Sequence, residues 1–265
     1  MFEFYLIGVP ETIVVLDVDG VILRRNPVSY VIRSILAEAA FSRGLCFDYL
    51  YYLFSEEFKA RVRCGRLIEA FNFQLLLENL LGRLGVRDIP LIENLINKCL
   101  KPPFLEVYKD AIKFLKEADC VKLALTNGLS KFQIPILEAS DVARYFADIL
   151  TPDIIGFAKP DERVYKYLIG KFHNDNIVVV GDRLFFDISV AHKLGLTSIL
   201  VARRMPEYLN KIPWSARGES RDMKVFLNKI YRTEASRYGY FDYIEPNYVI
   251  KTLYELPEII CKLTG

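Results

Sequence analysis

The chain has 265 residues, 52% of them hydrophobic and 26% charged, with a formal net charge of +2. That length suits one or two domains with a sizeable core, and the composition argues against disorder. The near-neutral charge makes no case for a nucleic-acid or membrane partner, and no run reaches the roughly 18 apolar residues that a membrane span needs.

Residues 1–10 are apolar but contain Glu3 and end on Pro10; without a basic start they make a poor secretory signal. The five cysteines (Cys46, Cys64, Cys99, Cys120, Cys261) are odd in number and form no CxxC pair, so they read as reduced, buried thiols of a cytoplasmic protein. Gln74 and Gln133 are the only glutamines, a scarcity in keeping with a thermophilic source, although asparagine is not scarce.

The apolar run Ile13-Val14-Val15-Leu16 predicts a buried strand, which runs out into Asp17-Val18-Asp19-Gly20. Two carboxylates so close repel unless a cation or a shared proton separates them, and strand ends are where open α/β sheets hold ligands. The pair therefore points to metal and acid–base chemistry. A calcium loop of the EF-hand type is excluded, because Val21 and Ile22 stand where Asp or Asn and then Gly are required.

Residues from about 25 to 102 read as an all-helical insertion, with helices over 29–43, 47–63, 67–84 and 90–100. Gly44, Gly65 and Gly85 are the stops, and Pro102-Pro103 closes the segment. Within it, Arg61-Val62-Arg63-Cys64-Gly65-Arg66 has two readings, a binder of an anionic substrate group or an exposed basic helix end favoured by the helix dipole. The aromatic residues Phe47, Tyr49, Tyr51, Tyr52, Phe54 and Phe58 have a spacing that suits the insertion's own core better than a pocket. Arg24 and Arg25 lie in the hinge, placed to steer anions.

A helix is predicted over 104–118, with Leu105, Val107, Tyr108, Ala111, Ile112, Phe114 and Leu115 near a 3.6-residue period. Strands follow over 121–126, 147–150, 177–181, 197–201 and 247–250, with helices over 160–171 and 187–194. This alternation indicates an α/β fold, a doubly wound parallel sheet, formed by residues 1–24 and 103–265 around the insertion at 25–102. Residues 203–245 are too long for a plain connection. They are expected to cover the sheet edge, form a dimer contact or overlie the site; acidic residues among the basic ones make nucleic-acid binding there a weak reading.

Four signals fall in order along the sheet: Asp17-Val18-Asp19-Gly20-Val21, Leu125-Thr126-Asn127-Gly128, Lys159-Pro160, and Gly181-Asp182 with Asp187. Alone, the last three read as a turn, a helix start and a capped turn. Together they resemble the haloacid dehalogenase (HAD) superfamily, whose motifs are DxDx[TV], a strand ending in Thr or Ser, a Lys, and GDxxxxD. The likeness runs from residue 13 to 201, and Asn247-Tyr248-Val249-Ile250 with Leu256-Pro257 looks like the C-terminal strand and helix of such proteins. The resemblance implies a Rossmann-like core with an α-helical cap of the C1 type between the first two motifs.

It also implies roles. Asp17 would be the nucleophile, splitting hydrolysis of an unreactive phosphate ester into two steps through an acyl phosphate. Mg²⁺ would be held by Asp17, the backbone carbonyl of Asp19 and Asp182, with Asp187 a ligand or the orienter of a water there. Asp19 would be general acid and base. Thr126 would bind a phosphate oxygen, aided by backbone N–H groups near Asp19-Gly20 and at Asn127, and Lys159 would offset the negative charge. Members that remove halide lack the acidic residue two after the nucleophile, so Asp19 favours phosphoryl chemistry. Phosphonate hydrolases use a cap lysine, for which Lys59 is the one candidate, and nothing marks it out. The expectation is a Mg²⁺-dependent phosphatase of a small phosphorylated metabolite, monomeric or a homodimer. A phosphomutase shares every core motif. A non-catalytic binding or regulatory protein is the third reading, against which the intact set Asp17, Asp19, Thr126, Lys159, Asp182 and Asp187 argues.

Overall fold

The computed structural model describes residues 12–173 and 176–264. The segment read for a secretory signal lies outside them. Strand β1 (Ile13–Leu16) is buried along its whole length. The chain then turns through a short ribbon in which β2 (Leu23–Arg25) pairs antiparallel with β3 (Glu106–Val107), and the helical cap leaves and returns through this ribbon. Strands β4 (Val121–Leu125), β5 (Asp148–Leu150), β6 (Ile177–Gly181), β7 (Thr197–Val201) and β8 (Tyr248–Ile250) join β1 in a parallel sheet of order β5-β4-β1-β6-β7-β8. In register, Leu16 stands opposite Ala124 on one side and Val180 on the other.

Both faces of the sheet are covered, which is why its strands are continuous apolar runs rather than alternating ones. Ile13, Val15, Leu125, Ile177 and Val179 pack on one side; Val14, Leu16, Val178 and Val180 pack on the other.

In the cap, α1 (Pro27–Arg43) starts two residues before its predicted position, because Asn26 caps it and Pro27 fits its first turn. Helix α2 (Phe47–Arg63) lies where predicted. The single helix expected over 67–84 is instead two, α3 (Leu67–Phe71) and α4 (Phe73–Arg83), broken at Asn72, whose side chain accepts from Leu75 N at 3.2 Å. Helix α5 (Ile92–Lys98) is shorter than the predicted 90–100, and its first N–H donates to Gln74 Oε1 at 2.9 Å.

The helix predicted from residue 104 begins only at α6 (Lys109–Glu117). Residues 106–107 form β3 instead, and Tyr108 N donates to Ile22 O at 3.0 Å, so the hinge ribbon takes backbone groups that a helix would have used. Helices α7 (Ser130–Ala139), α8 (Pro152–Ile155) and α9 (Glu162–Phe172) follow, and Asp161, not Pro160, caps α9. The helix expected over 187–194 is a π-helical turn, Leu184–Ile188, running into α10 (Ser189–Lys193).

The 203–245 segment folds as α11 (Glu207–Asn210), α12 (Trp214–Arg217) and α13 (Arg221–Tyr238). Leu209, Met223 and Leu227 cover Leu200 of β7 and Val249 of β8, so one expected role, covering the outer strands, is met. The far end of α13 also reaches the cap, where Arg63 Nη2 donates to Ser236 O at 3.3 Å. Helix α14 (Leu256–Thr264) closes the chain's described part. Among the described residues no helix is long and apolar enough to cross a membrane. The cysteines divide, contrary to the expectation of burial: Cys99 is buried and Cys120 half-buried, while Cys46, Cys64 and Cys261 are exposed. Cys46 and Cys64 flank α2, where helix ends meet solvent.

Candidate active site

Strand β1 lies between β4 and β6, and all three point the same way. Their C-terminal ends are therefore neighbours, about 5 Å apart as adjacent strands are. Asp17 leaves β1 with its N–H still donating to Val180 O at 2.8 Å, and Thr126 leaves β4 with its N–H on Leu150 O at 3.1 Å. Asp182 follows β6 directly. One carboxylate oxygen from each of Asp17, Asp182 and Asp187 lies within 4.8 Å of the others.

Two glycines make this approach possible. Gly20 has φ +86°, and a Cβ there would stand 2.5 Å from Asp182 Oδ2. A Cβ on Gly181 would stand 2.2 Å from the Asp187 carboxyl carbon. The N–H of Gly20 donates to Leu23 O at 3.0 Å, so this expected phosphate donor is already used inside the turn. Gly20 contributes shape instead.

Lys159 is 3% exposed, and its three ammonium hydrogens match three acceptors: Asp17 Oδ1 at 2.7 Å, Asp187 Oδ1 at 2.6 Å and Leu125 O at 3.0 Å. Its backbone is fixed by Asn127, whose Nδ2 donates to Lys159 O and whose Oδ1 accepts from Lys159 N, both at 2.8 Å. Asn127 thus acts here through its side chain, where the sequence pointed only to its backbone. Thr126 Oγ1 accepts from Gly128 N at 3.1 Å and keeps its own proton to donate.

Asp19 is held from two sides. Asn26 Nδ2 donates to Oδ1 at 2.7 Å and Gln133 Nε2 to Oδ2 at 3.0 Å. Gln133 is buried, and its Oε1 has no hydrogen-bond partner among the described residues. Burial pushes the Asp19 carboxyl above the usual carboxylate range, against the pull of these two donors. Burial also raises Asp17 well above that range; Lys159 opposes the rise, and Asp187 and Asp182 add to it. Asp182 is pushed up to about 6, again chiefly by burial. Burial works against the charge of Lys159, but Asp17 and Asp187 outweigh it and hold the ammonium above its ordinary value.

These side chains face one cavity of about 200 Å³, lined by Asp17, Asp19, Thr126, Asn127, Gly128, Gln133, Lys159, Asp182, Arg183 and Asp187, and on the other side by Phe58, Phe71, Phe73, Phe186 and Tyr238. Of the cap aromatics singled out in the sequence, only Phe58 reaches it; Phe54 is buried in the cap, and Tyr49 and Tyr52 are exposed. The basic stretch is engaged elsewhere. Arg61 is buried with its Nη1 2.6 Å from Glu57 Oε1, and Arg66 Nε donates to Glu69 Oε1 at 2.9 Å. Lys59 pairs with Glu56 at 2.6 Å, and Arg24 with Glu106 at 2.7 Å. None of these lines the cavity.

The sequence reading missed Asn26, Gln133, Arg183, Phe71, Phe73, Phe186 and Tyr238. Only Asn26 carried a local signal, as an Asn directly before a proline-led helix. It also missed Glu234 of α13, 2% exposed, which accepts from Phe185 N at 2.8 Å and Leu184 N at 3.4 Å and so caps the turn that carries Asp187. Burial pushes Glu234 up to about 7. Arg203, just past β7, ties the first loop down: its Nη2 donates to Val21 O at 2.7 Å, and its guanidinium pairs with buried Asp110.

A parallel sheet with clustered carboxylates and a buried lysine at adjacent strand ends, under a helical cap, defines a class of hydrolases, and the family comparison agrees. The chain belongs to the haloacid dehalogenase-like hydrolases, whose family model matches residues 12–195. Over 109 residues it is 29% identical to the glyceraldehyde 3-phosphate phosphatase of Methanocaldococcus jannaschii, a match covering 39% of this chain and 48%, about half, of that relative. Among solved structures it is similar to a HAD phosphatase from Thermococcus onnurineus, with TM-score 0.64 and 21% identity over 94% of this chain and 97% of that one. It is similar also to the L-2-haloacid dehalogenase of Xanthobacter autotrophicus, with TM-score 0.61 and 18% identity over 94% and 98% of the two chains. At these identities the structural likeness speaks for the fold alone.

Proposed function

We propose that the protein is a Mg²⁺-dependent phosphohydrolase acting on a small phosphate monoester, with residues 25–102 as its cap. The observation that carries the reading is the pair Asp17 and Asp19: one carboxylate on Lys159, the other two residues on and held by Gln133 and Asn26. Halide removal has no use for the second carboxylate, and phosphoryl transfer needs it to handle a proton twice. The phosphatase similarity over part of the chain supports the same reading.

The donor set fits a hard dication. Four carboxylates (Asp17, Asp19, Asp182, Asp187) face two cations (Lys159, Arg183) around the cavity, and all-oxygen donors suit Mg²⁺. Asp17, Asp182 and Asp187 would hold it, and when bound it would supply positive charge to the phosphate and to the nucleophile. An Asp17 oxygen attacks phosphorus as the bond from phosphorus to the leaving oxygen breaks, and Asp19 gives that oxygen its proton. Asp19, now ionised, takes a proton from water as the water attacks the aspartyl phosphate; the bond to Asp17 breaks and inorganic phosphate leaves. The raised position of Asp19 favours its starting protonated. Lys159 offsets charge on Asp17 and Asp187 by Coulomb attraction, with its hydrogens already committed.

Turnover of p-nitrophenyl phosphate with Mg²⁺ tests this. EDTA should stop it and added Mg²⁺ restore it, and Asp17→Asn should lose at least about 10⁴-fold in kcat. Metal-independent turnover, or an active Asp17→Asn enzyme, would overturn the reading.

A further inference from the structure

We propose that the leaving group of the physiological ester is neutral and apolar, about the size of one aromatic ring or a branched alkyl chain, and that Phe71 and Tyr238 select it; this rests on the phosphatase reading above. Opposite the carboxylates the cavity wall is a shell of rings in mutual contact. Phe58 meets Phe71 edge-on at 5.2 Å, Phe71 meets Phe186 at 5.7 Å, and Phe186 meets Tyr238 at 4.9 Å, with Phe73 6.1 Å from Phe71. The rings come from the cap, from the turn carrying Asp187, and from α13.

A sugar or glycerol leaving group would bring several hydroxyls to a wall whose one polar atom is the Tyr238 hydroxyl, and each hydroxyl buried without a partner weakens binding by about tenfold or more. Arg183 lines the cavity on the carboxylate side, its Nε 3.3 Å from Asp182 Oδ1. Among the described residues that line the cavity, the carboxylates stand on the far side from the rings, and Arg183 beside them would repel a quaternary ammonium. A cavity of about 200 Å³ is below the roughly 300 Å³ at which ordinary ligand sites begin, so the group is compact.

The test compares kcat/KM for 2-phenylethyl, methyl and glycerol 3-phosphates and phosphocholine, all alkyl esters, so that leaving-group acidity does not set the order. The expected result is 2-phenylethyl phosphate preferred over each of the others by about tenfold or more. In Phe71→Ala and in Tyr238→Ala the ratio of 2-phenylethyl to methyl phosphate should fall by about tenfold. A ratio taken within one preparation does not depend on how much of a variant is folded. Preference for glycerol 3-phosphate or phosphocholine, or an unchanged ratio in both variants, would overturn this inference alone. Turnover of no ester, p-nitrophenyl phosphate included, would overturn the phosphatase reading and this inference with it.

Discussion

The two sides of the cavity are built by different means. The polar side comes from the ends of β1, β4 and β6, whose order and register place Asp17, Thr126 and Asp182 together, and Asp19 and Lys159 there each have two or more polar partners. The aromatic side is assembled from α2, the α3–α4 break, the π-helical turn and α13, held by ring contacts across long stretches of sequence. On the proposed function, the chemistry common to every phosphate ester would fall to the strand ends, and the choice among esters to the aromatic side.

Changes on the polar side should therefore affect every ester alike. Asp19→Asn should lower kcat by about 10²–10⁴-fold for all of them, read from steady-state rates. Lys159→Met should cost about 10²–10³-fold, again without changing the order of esters. Gln133→Leu should act more gently. Removing a donor to the ionised carboxylate raises the Asp19 pKa further, so the limb of the pH–rate profile that reports Asp19 should move to higher pH. An ester-dependent loss in any of these three would blur the division between the two sides.

The smallest effect concerns Glu234, where α13 meets the motif turn. Its folded value of about 7 lies above its ordinary 4.5, so the folded protein binds the extra proton. This contribution is fully present below pH 4.5 and is lost as pH rises through about 7. The melting temperature of Glu234→Gln should therefore gain on that of the parent across this window, as thermal scans at several pH values would show. A constant difference would mean that the carboxyl titrates as it does in the unfolded chain.

What could be read from the sequence follows the same division. The strand-end carboxylates stood out because a few adjacent residues carry both the strand and its functional end. Lys159 was found only through its order among the other motifs, since Lys-Pro has no local meaning. Gln133 and Tyr238 were missed because what gives them a role lies far away in the chain, at Asp19 for one and Phe186 for the other. At residues 104–108 the error was one of period: Leu105 and Val107 alternate, as a strand does, but were counted towards the helix that starts at Lys109. The 203–245 segment gave away its length but not its path, because its apolar contacts within itself are joined by others to β7, β8 and the cap, far away in the chain.

The break at Asn72 has a consequence for how such a pocket could diverge. Successive residues of a helix turn by about 100°, so two residues two apart point to nearly opposite sides. Phe71 and Phe73 nevertheless line the same cavity, with their rings 6.1 Å apart, because one helix ends and another begins between them. The residue that permits this caps α4 through its side chain and is not among those lining the cavity. A descendant in which position 72 favoured continuous helix would swing one ring away and reshape the pocket, leaving the strand-end carboxylates untouched.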